Sequence, residues 1–145
     1  MSDMTKEKAM LKYSGGIDCS QVVFAHGAEI LGFDQKTATK IAACFGGGMF
    51  LGERCGCVTG ALMAIGLKYG HCEMGDEETK NQLIAKKMEF EEQFKAAHGS
   101  LICKDLVGFD FSKPGELEKA MESGKMMDIC PMLAVTACEI LDDML

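Results

Sequence analysis

Cys55–Gly70, CGCVTGALMAIGLKYG, is the stretch on which the fold turns. It is almost entirely small and apolar, with Lys68 as its only charge. An uninterrupted apolar run suits either a buried strand or a buried helix, and length separates the two. Strands run about four to eight residues and helices about ten or more. The stretch therefore reads as a buried helix ending near Gly70. Gly56, Gly60 and Gly66 each cost such a helix roughly 1 kcal/mol against alanine. Glycines kept at that cost point to close packing, against a neighbouring helix or a bound group.

Outward from this segment the pattern stays helical. On the N-terminal side, Gly46–Glu53 (GGGMFLGE) is too rich in glycine for a helix interior and reads as a loop where backbones pass closely. Before it, Asp34 caps an expected helix over Gln35–Phe45, with Ala38, Ile41, Ala42 and Phe45 at helical spacing. Asp18 caps another, carrying Val22, Val23, Ala25, Ile30 and Leu31 until Gly32 ends it. On the C-terminal side, His71–Asp76 is a loop. Asp76, Glu77 and Glu78 then open the longest and most polar helix, running to about Ala97, and their charges complement its dipole. Ile84, Met88, Phe90, Phe94 and Ala97 form its expected buried face. Short helical pieces follow over Leu101–Gly108 and Pro114–Gly124. The last helix is expected from Cys130 to Leu145, with Pro131 in the first position, where its missing N–H is harmless. No repeat, low-complexity tract or linker interrupts the chain. The fold class expected is all-α: residues 1–145 as a single cysteine-rich helical bundle with glycine-rich connections.

Composition excludes several functions. A net charge of −7 argues against a nucleic-acid partner, which would demand a basic face. The charged N-terminus has no apolar segment of signal-peptide type behind it. The longest uncharged runs are too short to span a bilayer, so no membrane association is expected. A cytoplasmic location follows as the expectation. Eight cysteines are many for that reducing compartment, where cysteine-rich chains bind metals or do redox chemistry.

Context sorts the eight. Cys19, Cys55 and Cys130 stand at or beside expected helix N-termini, and Cys103 heads a short helical piece. Free N–H groups and roughly half a positive charge at a helix start favour a thiolate. Such positions bring a cysteine pKa from ~8.5 down to roughly 3.5–7.5. Arg54 and Lys104 push the same way, and Glu53 opposes them. Cys44 and Cys138 fall late in apolar helices and read as core, where free cysteine is commonly found. Cys72, next to His71, reads as an accessory ligand or an exposed thiol. Cys57 is ambiguous. Two residues along a helix is about 200° of rotation, so Cys55 and Cys57 share a centre only if Cys55 is still at the cap.

Standard templates are missing. There is no CxxC of a zinc motif and no ferredoxin spacing. Gly46–Met49 lacks the Gly-Lys-Ser/Thr ending of a phosphate loop. His26, His71 and His98 form no visible pair, and Cys–His pairings such as Cys72 with His71 or Cys55 with His26 carry no supporting pattern. The residues alone leave open cluster or metal ligation, thiol–disulfide chemistry and inert burial.

Several blocks do occur in a recognisable order: Cys19-Ser20-Gln21, Phe45–Met49 (FGGGM), Gly52-Glu53, Cys55–Ala61 (CGCVTGA), Gly66–Gly70 (GLKYG), an isolated Cys103 and a late Cys130. In these the chain resembles the redox proteins named for the pattern C_GCAxxG_C_C, over roughly Cys19 to Leu141. The resemblance puts the family cysteines on Cys19, Cys55, Cys103 and Cys130, the four already drawn out by their helix starts. Cys57 departs from it, standing where the family motif has alanine, and is an added candidate ligand. A related domain in split-Soret cytochromes carries an iron–sulfur cluster in a helical fold. The resemblance thus implies a [2Fe–2S] or [4Fe–4S] cluster on Cys19, Cys55, Cys103 and Cys130, with Gly47, Gly48, Gly56 and Gly60 letting backbone approach it. Electron transfer or redox sensing with an unidentified partner protein would follow, and a homodimer through the glycine-rich face is compatible. The alternatives are a thiol–disulfide oxidoreductase using the same cysteines, and a structural zinc module.

Overall fold

The apolar run forms a helix, as its length predicts. In the structure, a computed structural model describing residues 3–145, it spans Gly56–Tyr69 and has Cys55 as its N-cap residue. The elements in order are α1 (Lys6–Ser14), α2 (Cys19–Leu31), α3 (Gln35–Ile41), a wide π-type turn (Gly48–Gly52), α4 (Gly56–Tyr69), α5 (Glu77–His98), α6 (Cys103–Val107), α7 (Glu116–Ser123) and α8 (Lys125–Met144). The fold is all-α. Among the described residues the one strand-like feature is an isolated antiparallel bridge between Arg54 and Ile102.

The centre of the bundle is the pair α2 and α4. A methyl group on Gly60 would overlap the Ser20 carbonyl near the start of α2, and one on Gly27 would overlap the Ala64 methyl further along. The contacts advance together along both helices, so α2 and α4 run parallel with their N-termini at one end. Small residues allow this approach, and glycine is what the Ser20 contact requires. Val22, Val23 and Ala28 of α2 and Val58, Ala61 and Ile65 of α4 build the core around the pair. α8 closes it with Leu133, Ala137 and Leu141, and α5 adds the stacked rings of Phe90 and Phe94.

Several elements differ from expectation, each for a local reason. α1 lies where no helix is expected. Only Ala9 of it is buried, so it has no apolar stripe, and its start is set by Thr5, whose hydroxyl accepts the Lys8 N–H at 3.2 Å. α3 stops at Ile41 rather than Phe45. The Ser20 hydroxyl donates to the Ala42 carbonyl at 2.8 Å, and Ala42–Cys44 turn instead of continuing the helix. Cys44 is consequently exposed, not part of the core, whereas Cys138 is buried in α8. α5 turns Leu83, Phe90 and Phe94 inward, leaving Ile84, Met88 and Ala97 exposed. Ile84 sits about 100° around the helix from Leu83, and the aromatic stripe wins the narrow contact. α8 begins at Lys125, so Pro131 is inside the helix and Cys130 lies in its second turn rather than at its start. The glycine-rich segment is not a plain loop. Gly47, Gly48, Met49 and Phe50 all have φ between 58° and 63°, a left-handed turn that only glycine adopts without strain.

The glycines of α4 are not equivalent. A methyl at Gly66 meets nothing within 4 Å, so its place in the helix reflects no close approach. Gly66→Ala is expected to stabilise the protein by roughly 0.5–1 kcal/mol from helix propensity. Gly60→Ala gains the same propensity but drives a methyl into the Ser20 backbone, with a net loss expected within the roughly 1–3 kcal/mol of overpacking. Urea unfolding of both variants checks the contrast; equal shifts would mean that the α2–α4 approach is not set at Gly60.

Candidate functional site: a five-cysteine cavity

The N-terminal ends of α2, α4 and α6 meet at one end of the bundle, and the backbone around each is tied down. At α2, the Asp18 N–H donates to Gln21 Oε1 at 2.9 Å, and Gln21 Nε2 in turn donates to the Thr39 carbonyl at 3.0 Å. The Asp18 N–H to Gln21 contact belongs to a capping box, and it fixes Cys19 as the first helical residue. At α4 and α6 the tie is the Arg54–Ile102 bridge. The Cys55 N–H donates to the Leu101 carbonyl at 2.8 Å, and the Cys103 N–H donates to the Glu53 carbonyl at 2.6 Å. Residues separated by almost fifty positions are thereby held side by side. Side chains alternate across an extended segment, so Cys55 and Cys103 share one face while Arg54 points away, to Glu91 Oε2 at 2.8 Å.

Cys19, Cys55, Cys57, Cys103 and Cys130 all line a single cavity of about 430 Å³. Four helices supply them: α2, the start of α4, α6 and α8. Gly47 and Gly56 also line it, whereas Gly48 and Gly60 stand behind the wall. A methyl at Gly56 would overlap Cys19 Sγ, and one at Gly48 would overlap the Glu53 backbone. Phe50, Leu117 and Met121 reach from the cavity to the surface, each substantially exposed.

The thiols differ electrostatically. Cys19 is drawn down to about 7, chiefly by a hydrogen bond from the Cys57 thiol, which outweighs burial. The backbone N–H groups of Gly47 and Ser20 assist, and the Asp18 charge opposes. Cys57 moves the other way, held up by its hydrogen bonds with Cys19 and Cys55 and then by burial. Burial, reinforced by charge on Cys55 and Cys19, pushes Cys103 up to about 12. Cys130 is raised by burial and by the same neighbours together with Cys103. Each thiolate thus makes the next harder to form, as expected for like charges in a poorly solvated space.

One residue of the site is invisible to the sequence reading. Tyr13 of α1 lines the cavity, donates its hydroxyl hydrogen to the Cys130 carbonyl at 3.3 Å, and lies 3.9 Å from Cys57 Sγ. Burial and the neighbouring cysteines hold its phenol well above the usual tyrosine range. The surrounding KEKAMLKYS has no apolar run to announce it; the Thr5 cap is the one local signal.

The other candidates lie elsewhere. Cys72 and Cys44 are exposed. His26 binds Asp142 Oδ1 at 2.8 Å and His98 binds the Thr136 hydroxyl at 2.8 Å; neither lines the cavity. Among the described residues, no three His, Cys, Asp or Glu side chains are grouped as a single metal ion requires. No helix among them is long and apolar enough to cross a membrane.

Comparison with known proteins finds no match among curated proteins and none among solved structures. A family model does match. It is described as "Putative redox-active protein (C_GCAxxG_C_C)" and covers residues 17–144, which include every cysteine of the cavity but not Tyr13, and the chain belongs to that family.

Proposed function

We propose that this redox-active protein holds an iron–sulfur cluster in the cavity through the thiolates of Cys19, Cys55, Cys103 and Cys130, and serves in electron transfer or redox sensing. The observation that carries the reading is the meeting of these cysteines, from four separate helices, in one space of about 430 Å³. Cysteine thiolates are the usual ligands of such clusters. The fit can be tested against the alternative of zinc. A lone zinc ion needs four ligands about 2.3 Å away when they are sulfur. No three ligating side chains among the described residues are grouped that closely, and the cavity has room for more than one ion. Mutual repulsion among the thiolates asks for a positively charged core of some extent.

When bound, the cluster supplies one-electron transfer. The chain's own residues hold and shape its place. The Arg54–Ile102 bridge keeps Cys55 and Cys103 adjacent, Tyr13 anchors the Cys130 backbone, and the Gly47 and Ser20 N–H groups point at the Cys19 sulfur. Phe50 and Leu117 limit water at the mouth. Eight free thiols suit a reducing compartment such as the cytoplasm.

A second reading, thiol–disulfide exchange, has one observation in its favour: Cys19 and Cys57 line the same cavity, and Cys19 is the acidic member of the pair. The thiolate is the attacking form in that chemistry.

Anaerobic reconstitution separates the readings. The wild-type protein is expected to take up iron and sulfide with visible absorption, and alanine at Cys19, Cys55, Cys103 or Cys130 is expected to remove most of both. A colourless, iron-free wild type would sink the cluster reading, and zinc bound in its place would favour the structural module. In the reduced, metal-free protein, alkylation reports on the thiolates. Lowering of the Cys19 pKa means that its reaction rate climbs with pH and levels off just above about 7, while that of Cys103 keeps rising toward about 12. Identical pH profiles at the two positions would contradict the electrostatics described above.

A further inference from the structure

α7 forms one wall of the cavity and is loosely joined to the rest of the bundle. Leu117, Ala120 and Met121, all the apolar residues it has, line the cavity as one helical stripe. Ala120 is fully buried but stands apart from the main hydrophobic core, and Met121 is 68% exposed, so burial holds little of the helix in place. Its polar ties are local as well. Lys119 pairs with Glu116 at 3.4 Å, the Ser123 hydroxyl donates to the Ala120 carbonyl at 2.7 Å, and the Lys125 N–H donates to the Ser123 hydroxyl at 3.1 Å. Among the described residues, no hydrogen bond or ion pair of α7 reaches past Lys113 on one side or Lys125 on the other.

Both ends of α7 turn on glycine. Gly115 has a φ of 80° and Gly124 a φ of 72°, and a methyl on either would meet nothing within 4 Å. These two positions therefore use the backbone freedom of glycine and not its small size. The chain is fixed on either side of them. Asp110 Oδ1 accepts the Ser112 N–H at 3.0 Å, and the Lys125 ammonium lies 5.8 Å from the Phe109 ring centroid. The opposite rim of the mouth, at Phe50, is braced. The Glu53 N–H donates to the Gly48 carbonyl at 3.1 Å, and there is no room for a methyl between Gly48 and the Glu53 backbone. Cys55 and Cys103 are only 4% and 6% exposed, so anything that is to reach them requires a wall to move.

We propose that α7 is a lid, which swings as a unit about Gly115 and Gly124, opens the cavity to incoming iron and sulfide, and closes to shield the thiolates from water. What passes the lid rests on the cluster reading above; the motion itself does not. Opening gives up the packing of α7 on α8 and leaves the α2–α4 core untouched. Moving elements are drawn from the least stable parts of a fold, and their hinges are a few residues at element ends.

The test starts from the full chain, reduced and metal-free, alkylated with iodoacetamide and read site by site by mass spectrometry. Cys138, buried in α8 away from the cavity, reports unfolding of the whole bundle. Each rate is taken relative to that of the same cysteine in the urea-unfolded chain. Cys55 and Cys103 are expected to react well ahead of Cys138, and the amides of α7 to exchange with deuterium well ahead of those of α8 from Leu133 to Leu141. Gly115 does not line the cavity, and alanine there penalises the closed lid through its positive φ. Gly115→Ala is expected to speed Cys103 alkylation by roughly fivefold or more, still ahead of Cys138, with a smaller gain for Gly115→Asn, since asparagine tolerates that conformation. Equal protection of Cys103 and Cys138 would overturn the lid. So would a Cys103 rate unmoved by Gly115→Ala, which would mean a permanently open mouth. In the reconstituted protein, Gly115→Ala is expected to hold as much iron as the wild type and release it faster to a chelator; equal release rates also overturn the lid. An iron-free wild type whose Cys103 rate follows Gly115 refutes the cluster reading alone.

Discussion

The close approach of α2 and α4 at Gly60 and Ser20 is the constraint on which the rest of the molecule depends. Where the Ser20 carbonyl rests against α4 there is no space for a side chain, and Gly56, one turn earlier, gives the same clearance to the Cys19 sulfur. Because the helices run parallel, this one contact brings two N-termini to the same end. The Ser20 hydroxyl then captures the Ala42 carbonyl, ends α3, and sends the chain into the left-handed turn that leads back to Cys55. Packing and site geometry are thus one arrangement.

Bringing helix starts together has an electrostatic cost. The N-termini of α2, α4 and α6 each carry partial positive charge, and side by side they repel one another. Negative charge at their meeting point relieves that repulsion. Cys19 answers to it most directly, with the N–H groups of Gly47 and Ser20 directed at its sulfur. Cys103 does not, because burial and the neighbouring thiolates push it up, and Cys130, in the second turn of α8 and away from any helix start, is raised by the same causes. The cavity is accordingly suited to one anion when empty of positive charge, and to several only around a cation.

Much of this was legible in the sequence, and the boundary of what was legible has physical causes. Long, strongly patterned helices with caps can be read: α2 between Asp18 and Gly32, α4 after Cys55, and α5 between Asp76 and Gly99 fall where their signals put them. Dispersed cysteines at helix starts, together with the family resemblance, singled out the thiols that line the cavity. What could not be read depends on tertiary contacts. The early end of α3 is decided by a hydroxyl on another helix, the outward turn of Ile84 and Met88 by which stripe of α5 finds a partner, and the pairing of Cys55 with Cys103 by a two-residue bridge with no strand pattern. Pro131 misled in a different way. It is common in the first turn of a helix, but α8 begins six residues before it.

Tyr13 has a consequence for where this structural unit begins. The region shared with the family starts at residue 17, yet the phenol that braces Cys57 and the Cys130 backbone comes from the helix before it. A boundary drawn by similarity alone would cut through the cavity wall, leaving every cysteine in place and opening their surroundings to solvent. The cysteines define the kind of chemistry this chain shares with its family; α1 sets the dielectric in which that chemistry runs.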